Sequence, residues 1–489
     1  MSRQCFQYVR HLAVVSIVML LLGSLVGVVW LSQNITSIPQ YGDTSEYLEL
    51  SKTLKCDQYR GILYPLLLNG SAALSVALGL PLQVIVYVVQ VLVALFAAYS
   101  LAAVFLQRHS SARILSVFAS VSIVFNPLII HYSLTILTDS LATSFTLIFI
   151  VYLTKGCSLD VTSAKRSLYL ICASFAFVCM TALRVEKLYL ASLLFLVCLI
   201  GAIVSRRCQP LFRRAAVFSL MIVVFAIALG SSLYIRKATT VYNVNRPPLD
   251  LSSMAFGRAV WPRMSSVYSF LPDSLKQRIT AGDAKQFDSH PNNVMPFLVM
   301  MLGESDGRGQ IDRITLCALE HYPVQVVGRT IFDLLKYSIP NVAFPMEAVH
   351  VFPESVGTSW TISRLEMFTP GLSRILLVTG FIQFVVLLVF VVTTHLAASG
   401  VVGGASSGAV IWPANYELTV IYWILGTTVL LNSAMFTLCV VGDAHIRYAL
   451  PVYTIIQSLV VTSAIVRSVD RVEECRRFVD RIQMRLWRR

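Results

Sequence analysis

Long apolar runs constrain this chain more than any other feature of its sequence. A helix crosses the roughly 30 Å hydrocarbon core of a bilayer with about 20 mostly apolar residues. Ten runs of about that length, bounded by charged or turn residues, lie at roughly 11–32, 82–106, 114–131, 133–154, 167–184, 187–204, 215–235, 371–396, 417–441 and 449–468. Only 13% of the 489 residues are charged, about half the usual share in a soluble protein. We therefore predict an all-α polytopic membrane protein and exclude an ordinary soluble enzyme.

The distribution of lysine and arginine predicts the orientation of these helices. The chain holds 39 Lys and Arg against 25 Asp and Glu, a net charge of +14, and short cytoplasmic loops collect basic residues. With the N-terminus inside, basic clusters fall on the cytoplasmic side at 3–10, 108–113, 155–166, 206–214 and 467–489. An even number of spans then places both termini in the cytoplasm. The basic tail is expected to contact anionic membrane lipids, and nucleic acid is not expected as a partner.

The polar stretches divide the chain into three parts. Residues 1–235 form a membrane catalytic module whose first outer loop is 33–81, and residues 371–489 hold the last helices and the basic cytoplasmic tail. Between them, 236–370 has ordinary polar composition and is predicted to be an external α-rich domain inserted between helices seven and eight, with short helices at 274–281 and 310–338. No repeat relates the two halves of the chain, which argues against an inverted-repeat transporter.

Ionisable residues within or beside the spans are the candidates for chemistry, because burying them in a bilayer is costly. On the predicted topology they all face outward, at Asp43, Glu46, Glu49, Arg60, Asp139, Arg184, Glu186, Asp443, His445 and Arg447. Four separated chain segments thus bring carboxylates and arginines to one outer face. A site that acts on a lipid headgroup requires such a face.

The first outer loop is predicted to contain a short amphipathic helix over 44–54, lying along the membrane interface. Its apolar residues recur at helical spacing, at Tyr47, Leu50 and Leu54. Asp43 would be the N-cap and Glu46 the N3 residue, so both carboxylates could simply satisfy backbone N–H groups as a capping box. We favour that role for Glu46. Asp43 is instead expected to take a proton from an acceptor hydroxyl.

Structural alternatives also exist for the charged residues in the middle of the chain. Asp139 is predicted to lie about six residues into its span, roughly 9 Å below the outer boundary. It could hydrogen-bond to Ser133 or Thr138 without contacting a substrate. Arg184 could form an internal ion pair with Glu186 in the turn "LRVEKLYL".

The segment before the last span carries a second basic candidate. Arg447 could grip a phosphate with two parallel hydrogen bonds, or it could be an interfacial anchor together with Tyr448. His445 is a lone histidine, which is more often a structural residue than a catalytic one. The sequence has no phosphate-binding glycine loop, HExxH or GxSxG element, so soluble-type NTPases, metalloproteases and α/β-hydrolases are excluded.

Taken together, four short pieces resemble the GT-C superfamily of polytopic glycosyltransferases, including protein mannosyltransferases and aminoarabinose transferases. "YGDTSEYLELSKTL" with "YRGILYPLLL" resembles that family's first outer loop, with the acidic residue at Asp43 and the later Arg60. "NPLIIHYSLTILTDSLATSFTLIFIVYL" is similar to its next span pair, with an acidic residue at Asp139. "LRVEKLYL" resembles its Arg-x-Glu turn and "RYALPVY" its closing Arg-Tyr-x-x-Pro element.

The resemblance implies an inverting transfer of a sugar from a polyprenyl-phosphate donor to a lipid, glycan or protein acceptor at the outer face. It implies Asp43 as the general base and Arg447, with Arg184 or Arg60, as the group that stabilises the departing phosphate. Asp139 and Glu186 would orient sugar hydroxyls or the arginines. The substrate-binding residues expected are therefore Arg60, Asp139, Arg184, Glu186, Arg447 and Tyr448.

One departure from the family bears on cofactors. Many members carry a paired acidic motif in the first loop, whereas Thr44 follows Asp43 here. No cofactor is therefore expected, although a divalent metal stays an alternative. The scarcity of sequons and of retention signals favours a bacterial plasma membrane over the endoplasmic reticulum. The alternatives to a glycosyltransferase are a transporter or lipid flippase and a non-catalytic membrane scaffold.

Overall fold

A computed structural model gives the fold of part of the chain. It describes residues 14, 17–18, 20–25, 28, 42–54, 61–107, 111–158, 161–184, 187, 195–196, 198–200, 202–203, 210, 213–222, 224, 264–271, 273–277, 279–289, 314–338, 382, 385–389, 391–392, 424–431, 433 and 452–469. These residues are helical or lie in turns, and no strand occurs among them. Four of their helices are long and apolar enough to cross a membrane, as expected of an integral membrane protein.

The helices are numbered here in chain order. They are α1 (Gly42–Thr53), α2 (Leu63–Leu78), α3 (Leu82–Leu106), α4 (Ala112–Val124), α5 (Pro127–Ser133), α6 (Asp139–Cys157), α7 (Ser163–Leu183), α8 (Met264–Val267), α9 (Asp273–Lys276), α10 (Ala281–Ser289), α11 (Pro323–Ser338) and α12 (Val452–Val469). The four candidate spans are α3, α6, α7 and α12.

Helix α6 is the most enclosed of these spans. Within its apolar window 83% of the residues are buried, against 33% in α7. It packs against α7 and α3, and α3 also packs against α4. The buried alanines Ala94, Ala98 and Ala102 recur every fourth residue along one face of α3, and small residues at this spacing let membrane helices approach closely. A carboxylate at the start of α6 is therefore surrounded by protein.

Two clusters of buried apolar residues hold the bundle together. One includes Tyr47, Tyr64 and Leu137 from α1, α2 and the segment before α6. The other includes Phe149 and Phe177 from α6 and α7, whose rings lie 5.3 Å apart. Residues of α12 belong to both clusters, so the C-terminal helix packs against the first half of the chain.

Several predicted boundaries need correction. The span predicted at 82–106 is confirmed as α3, but the one at 114–131 is two helices, α4 and α5. The helix ends before Pro127, which lacks an N–H and is well suited to begin a new helix. The span predicted at 133–154 begins at Asp139 and follows a non-helical segment. Asp139 is thus the first residue of its helix and does not lie six residues inside it.

Helix α1 begins slightly earlier than predicted. It starts at Gly42 and ends at Thr53, whereas 44–54 was expected. Asp43 is therefore part of the first turn and is not an N-cap outside it. A difference of one or two residues is usual at helix ends. The first turn is held here by buried Thr44, which donates to the Ile136 carbonyl.

The segment predicted to be external contributes separate short helices. The predicted helix at 310–338 is interrupted, because residues 314–321 are helical, Tyr322 is not, and α11 begins at Pro323. Helix α10 starts with a reciprocal cap, in which the Thr280 backbone N–H donates to Asp283 Oδ2 at 2.8 Å and the Asp283 N–H donates to Thr280 Oγ1 at 3.2 Å. These bonds to Thr280 lower the pKa of Asp283 below its ordinary value of 3.8.

Candidate functional site

The candidate site is built on a buried break between two helices. Residues 134–138 join α5 to α6 without helical structure, and each is at most 1% exposed. Their sequence, Leu-Thr-Ile-Leu-Thr, favours a break because Ser and Thr hydroxyls compete for backbone carbonyls. Accordingly, Thr135 Oγ1 donates to the Tyr132 carbonyl at 2.7 Å. Non-helical backbone in a membrane protein needs partners from the protein itself.

Side chains from two other helices supply those partners. Gln90 of α3 donates from Nε2 to the carbonyl oxygens of Ser133 at 2.8 Å and Thr135 at 2.9 Å. Thr44 of α1 donates from Oγ1 to the carbonyl oxygen of Ile136 at 3.2 Å. The path of the break is therefore fixed by α1 and α3.

The tyrosines of α1 and α2 extend this network. Tyr64 donates its hydroxyl to Gln90 Oε1 at 3.3 Å. Its ring meets the ring of Tyr47 edge to face, with centroids 5.1 Å apart and planes at 78°. The Tyr47 hydroxyl lies 3.4 Å from Thr138 Oγ1, at the far end of the break. Both ends of the segment are thus tied to the same pair of aromatic rings.

A buried ion pair lies where the break ends. Arg184 donates from Nη2 to Asp139 Oδ1 at 2.6 Å and from Nε to Thr138 Oγ1 at 3.1 Å. The side chain of Asp139 is 2% exposed and that of Arg184 is 14% exposed. Thr138 does not cap α6 with its side chain, because its hydroxyl oxygen faces Arg184 and Tyr47. The guanidinium therefore holds two consecutive residues at the start of α6.

The ends of the two helices explain why this pair forms. Asp139 is at the positive end of α6, where the helix dipole stabilises a carboxylate. Arg184 directly follows α7 in an extended conformation, with φ −145° and ψ 109°, so its side chain departs from the helix axis. Gly61 packs on the same helix end, and a Cβ there would overlap the carbonyl oxygen of Ala182.

The pair has one unused acceptor. Asp139 Oδ2 is buried and has no hydrogen-bond partner among the described residues. Removing two charges from water is costly, and their attraction repays this only with good geometry. A carboxylate that already binds an arginine through one oxygen can accept a hydrogen bond from a substrate hydroxyl through the other. It can equally fix the guanidinium for contact with a phosphate.

A small cavity lies further along α6. It has a volume of about 10 Å³, and its lining includes Ser140, Thr143, Ser144 and Thr454. The hydroxyls of Thr143 and Thr454 are buried there without a partner in the described part of the chain. This volume suits about one water molecule. The cavity is too small to hold a sugar.

The structure brings together two of the residues singled out from the sequence, Asp139 and Arg184. It does not pair Asp139 with Ser133, because Ser133 Oγ lies 2.9 Å from Ser140 Oγ and donates to the Ile129 carbonyl at 3.1 Å. Asp43 lies in the first turn of α1, and its side chain is outside the described residues. So are Arg60, Glu186, Asp443, His445, Arg447 and Tyr448.

Three residues of this region were missed by sequence reasoning. Thr44 was noted only because it stands where an acidic residue was expected. Gln90 was visible as an amide within a 25-residue apolar helix, and a polar residue in a span is a signal of function or packing. Lys187 is only 1% exposed and donates its backbone N–H to the Arg184 carbonyl at 3.0 Å. Lysine is almost never fully buried without a partner, but a sequence does not show burial.

The described residues contain no group of three or more His, Cys, Asp or Glu side chains placed to hold a metal ion. The carboxylate of Asp139 instead faces a guanidinium. The prediction that the protein needs no cofactor stays a prediction.

No protein-family model matches this chain, and no curated protein matches it. Among solved structures, it is similar to the crystal structure of ArnT from Cupriavidus metallidurans bound to undecaprenyl phosphate. The sequence identity is 14% and the TM-score is 0.34, over 93% of this chain and 77% of that chain. A similarity of this size carries no argument about reaction or substrate, which must come from the residues of this chain.

Proposed function

We propose that this protein is a membrane glycosyltransferase. It moves a sugar from a polyprenyl-phosphate donor to a hydroxyl or amine of a lipid, glycan or protein acceptor at the outer face, with inversion of configuration. The observation that carries the proposal is the buried Asp139–Arg184 pair at a helix break that α1, α2 and α3 hold in place. An ion pair that only stabilised the fold would not require a buried non-helical segment held in place by side chains from α1, α2 and α3.

The proposed reaction is a direct displacement. Asp43 takes the proton of the acceptor while the acceptor atom bonds to the anomeric carbon of the sugar. The bond from that carbon to the phosphate oxygen breaks, and both of its electrons leave with the polyprenyl phosphate. Arg447, with Arg184 or Arg60, stabilises the charge on the departing phosphate in a water-poor site. The other proposed substrate contacts come from Asp139, Glu186 and Tyr448.

The ion pair assigns a more specific role to Asp139 within this proposal. Its Oδ1 fixes the guanidinium of Arg184, so the arginine is held in position before a phosphate binds. Its Oδ2 is available for a hydroxyl of the donor sugar. Preorganised charges of this kind stabilise a transition state without reorganisation during the reaction.

The wider topology belongs to the same proposal. We propose ten spans with both termini in the cytoplasm, the module 1–235, the external domain 236–370 that shapes the acceptor site, and the C-terminal part 371–489. The proposed location is a bacterial plasma membrane, with the endoplasmic reticulum membrane as the alternative. The reaction is proposed to proceed without a metal.

One observation favours the transporter alternative. Transporters bind substrates at discontinuous helices, and residues 134–138 form a non-helical break between the apolar helices α5 and α6. In a transporter the unwound carbonyls coordinate the transported ion, whereas here the carbonyls of Ser133, Thr135 and Ile136 accept hydrogen bonds from Gln90 and Thr44. Transferase activity is therefore the better supported function.

The test is transfer from a panel of radiolabelled polyprenyl-phosphate sugars by the protein in lipid nanodiscs. Transfer by the wild type should be lost in Asp43→Asn and Arg447→Ala while both variants stay folded. Asp283→Asn, on the external helix α10, is the control and should transfer as the wild type does. Equal transfer by all four proteins would remove the assigned catalytic residues. Substrate accumulation in proteoliposomes without any sugar transfer would replace the proposal by the transporter.

A further inference from the structure

The buried amide of Gln90 contacts both the helix break that leads to Asp139 and a tyrosine in the first turn of α2. Gln90 is fully buried in α3, a helix that is otherwise almost entirely apolar. An amide buried in such surroundings is unfavourable unless it is hydrogen-bonded, and Gln90 makes three hydrogen bonds. An apolar side chain at this position could make none of these bonds. We infer that Gln90 is a positioning residue for the Asp139 carboxylate, an inference that rests on the proposed function.

The hydrogen-bonding capacity of the amide matches what the helix break lacks. The last carbonyls of a helix have no partner within it. Ser133 is the last residue of α5, and Thr135 lies two residues further on, in the break. Gln90 Nε2 has two N–H groups, and one goes to each of these carbonyls. Its Oε1 accepts the hydroxyl of Tyr64. Glutamate has no comparable pair of donors, and methionine has none.

The first connection runs from Gln90 to Asp139 along the chain. The segment leaves Thr135, is held again at Ile136 by Thr44, and enters α6 at Asp139. Since every residue of this segment is buried, it has no solvent-filled space into which it can relax. Displacing its start shifts the first turn of α6, where the carboxylate is located.

The second connection runs from Gln90 to Arg184 through α2. Tyr64 is in the first turn of α2, and Gly61 precedes that turn and packs against the Ala182 carbonyl. Arg184 follows this end of α7. One amide thus links the supports of both members of the ion pair. Residues that support metal ligands commonly change activity by about 10- to 100-fold when they are replaced, and we expect an effect of similar size for a residue that supports this ion pair.

The experiment compares Gln90→Met with Gln457→Met in nanodiscs. Methionine has a similar length and no donor. Gln457 is equally buried in α12, and neither its amide nitrogen nor its amide oxygen has a partner in the described part of the chain. Tyr64→Phe removes only the donor to Gln90 Oε1 and should give a smaller effect of the same kind. Three quantities are measured: backbone hydrogen exchange of 134–140, and the kcat and KM for the donor.

We expect Gln90→Met to raise exchange in 134–140 and to lower kcat by about 10- to 100-fold, with KM for the donor little changed. Gln457→Met, the control, should change none of the three quantities. Unchanged exchange would overturn the inference whatever the activity. Raised exchange with unchanged kcat would also overturn it, because the anchoring would then be structural only.

The failure of the proposed function gives a different result. The wild type could transfer sugar from no donor while hydrogen exchange still rises in Gln90→Met alone. That result would overturn both the proposed reaction and the positioning role of Gln90. It would still show that Gln90 anchors the helix break. A fall in kcat that equals the loss of folded protein, measured by size-exclusion chromatography of the same samples, would likewise overturn the positioning role.

Discussion

Arg184 and Asp139 form a 2.6 Å ion pair across 45 positions of the sequence, between the residue that directly follows α7 and the first residue of α6. Both side chains are largely buried, so each charge depends on the other. Removing one partner of a buried pair leaves an uncompensated charge, which typically destabilises a protein by about 3–5 kcal/mol. Removing both is often far less damaging.

The first prediction follows from that asymmetry. Asp139→Leu and Arg184→Met should each markedly lower the temperature at which the purified protein begins to aggregate. The onset temperature of the double variant should be closer to that of the wild type than the onset temperature of Asp139→Leu is. The reason is that the double variant leaves no buried charge behind. The measurement is aggregation onset on heating in one detergent for all four proteins. Additive losses in the double variant would show that the two side chains act independently.

The second prediction concerns the contact that supports the end of α7. A Cβ on Gly61 would overlap the Ala182 carbonyl oxygen and come within 2.9 Å of the Leu183 carbonyl carbon. Both are backbone atoms and cannot rotate away. Gly61→Ala should therefore displace the end of α7 and lower thermal stability and transfer activity together.

Gly70 provides the matched control for this substitution. It lies within α2, and a Cβ there would meet nothing within 4 Å. Gly70→Ala should leave activity unchanged and stabilise the helix by up to about 1 kcal/mol, because alanine is the better helix former. Equal behaviour of the two alanine variants would contradict the close packing of Gly61.

The third prediction is a pH dependence of helix α10. Asp283 has its pKa lowered by hydrogen bonds from the hydroxyl and backbone N–H of Thr280. A lowered folded pKa means that the bonds stabilise α10 above the pKa of the unfolded chain and are lost as pH falls through the folded value. Hydrogen exchange of 281–289 should thus increase, after correction for intrinsic rates, only on acidification below the ordinary carboxyl range. The same profile in Asp283→Asn would refute this.

The sequence predicts the spans best where one apolar run is uninterrupted. Helix α3 was predicted at 82–106 and is found there, because Pro81 precedes the run and Gln107 follows it. The break at 134–138 was not predicted, since its residues are as apolar as those of a continuous span. Mean hydropathy over a window of residues indicates burial but does not distinguish helical from non-helical backbone. This segment is buried without being helical.

The candidate site was predicted only as a set of residue types on one side of the membrane. Asp139 and Arg184 were both chosen for their charge in an apolar setting, but their pairing depends on how α6 and α7 pack. The roles of Gln90 and Thr44 depend on backbone carbonyls that become free only because the helix breaks. Such partners cannot be inferred from the spacing of side chains.

The fourth prediction tests what Thr44 does in place of a second carboxylate. Thr44 is 1% exposed and donates its hydroxyl to the Ile136 carbonyl in the helix break. A carboxylate at this position has no proton to donate and would face a carbonyl oxygen, so the paired acidic motif is incompatible with this contact.

Thr44→Asp and Thr44→Val should both destabilise the protein, the latter by about 1–3 kcal/mol for a buried acceptor left without a partner. Thr44→Ser keeps the donor and should remain near wild type in thermal stability, measured in the same detergent. Stability of Thr44→Asp equal to that of Thr44→Ser, with activity that becomes dependent on an added divalent metal, would show that this position can serve as a ligand.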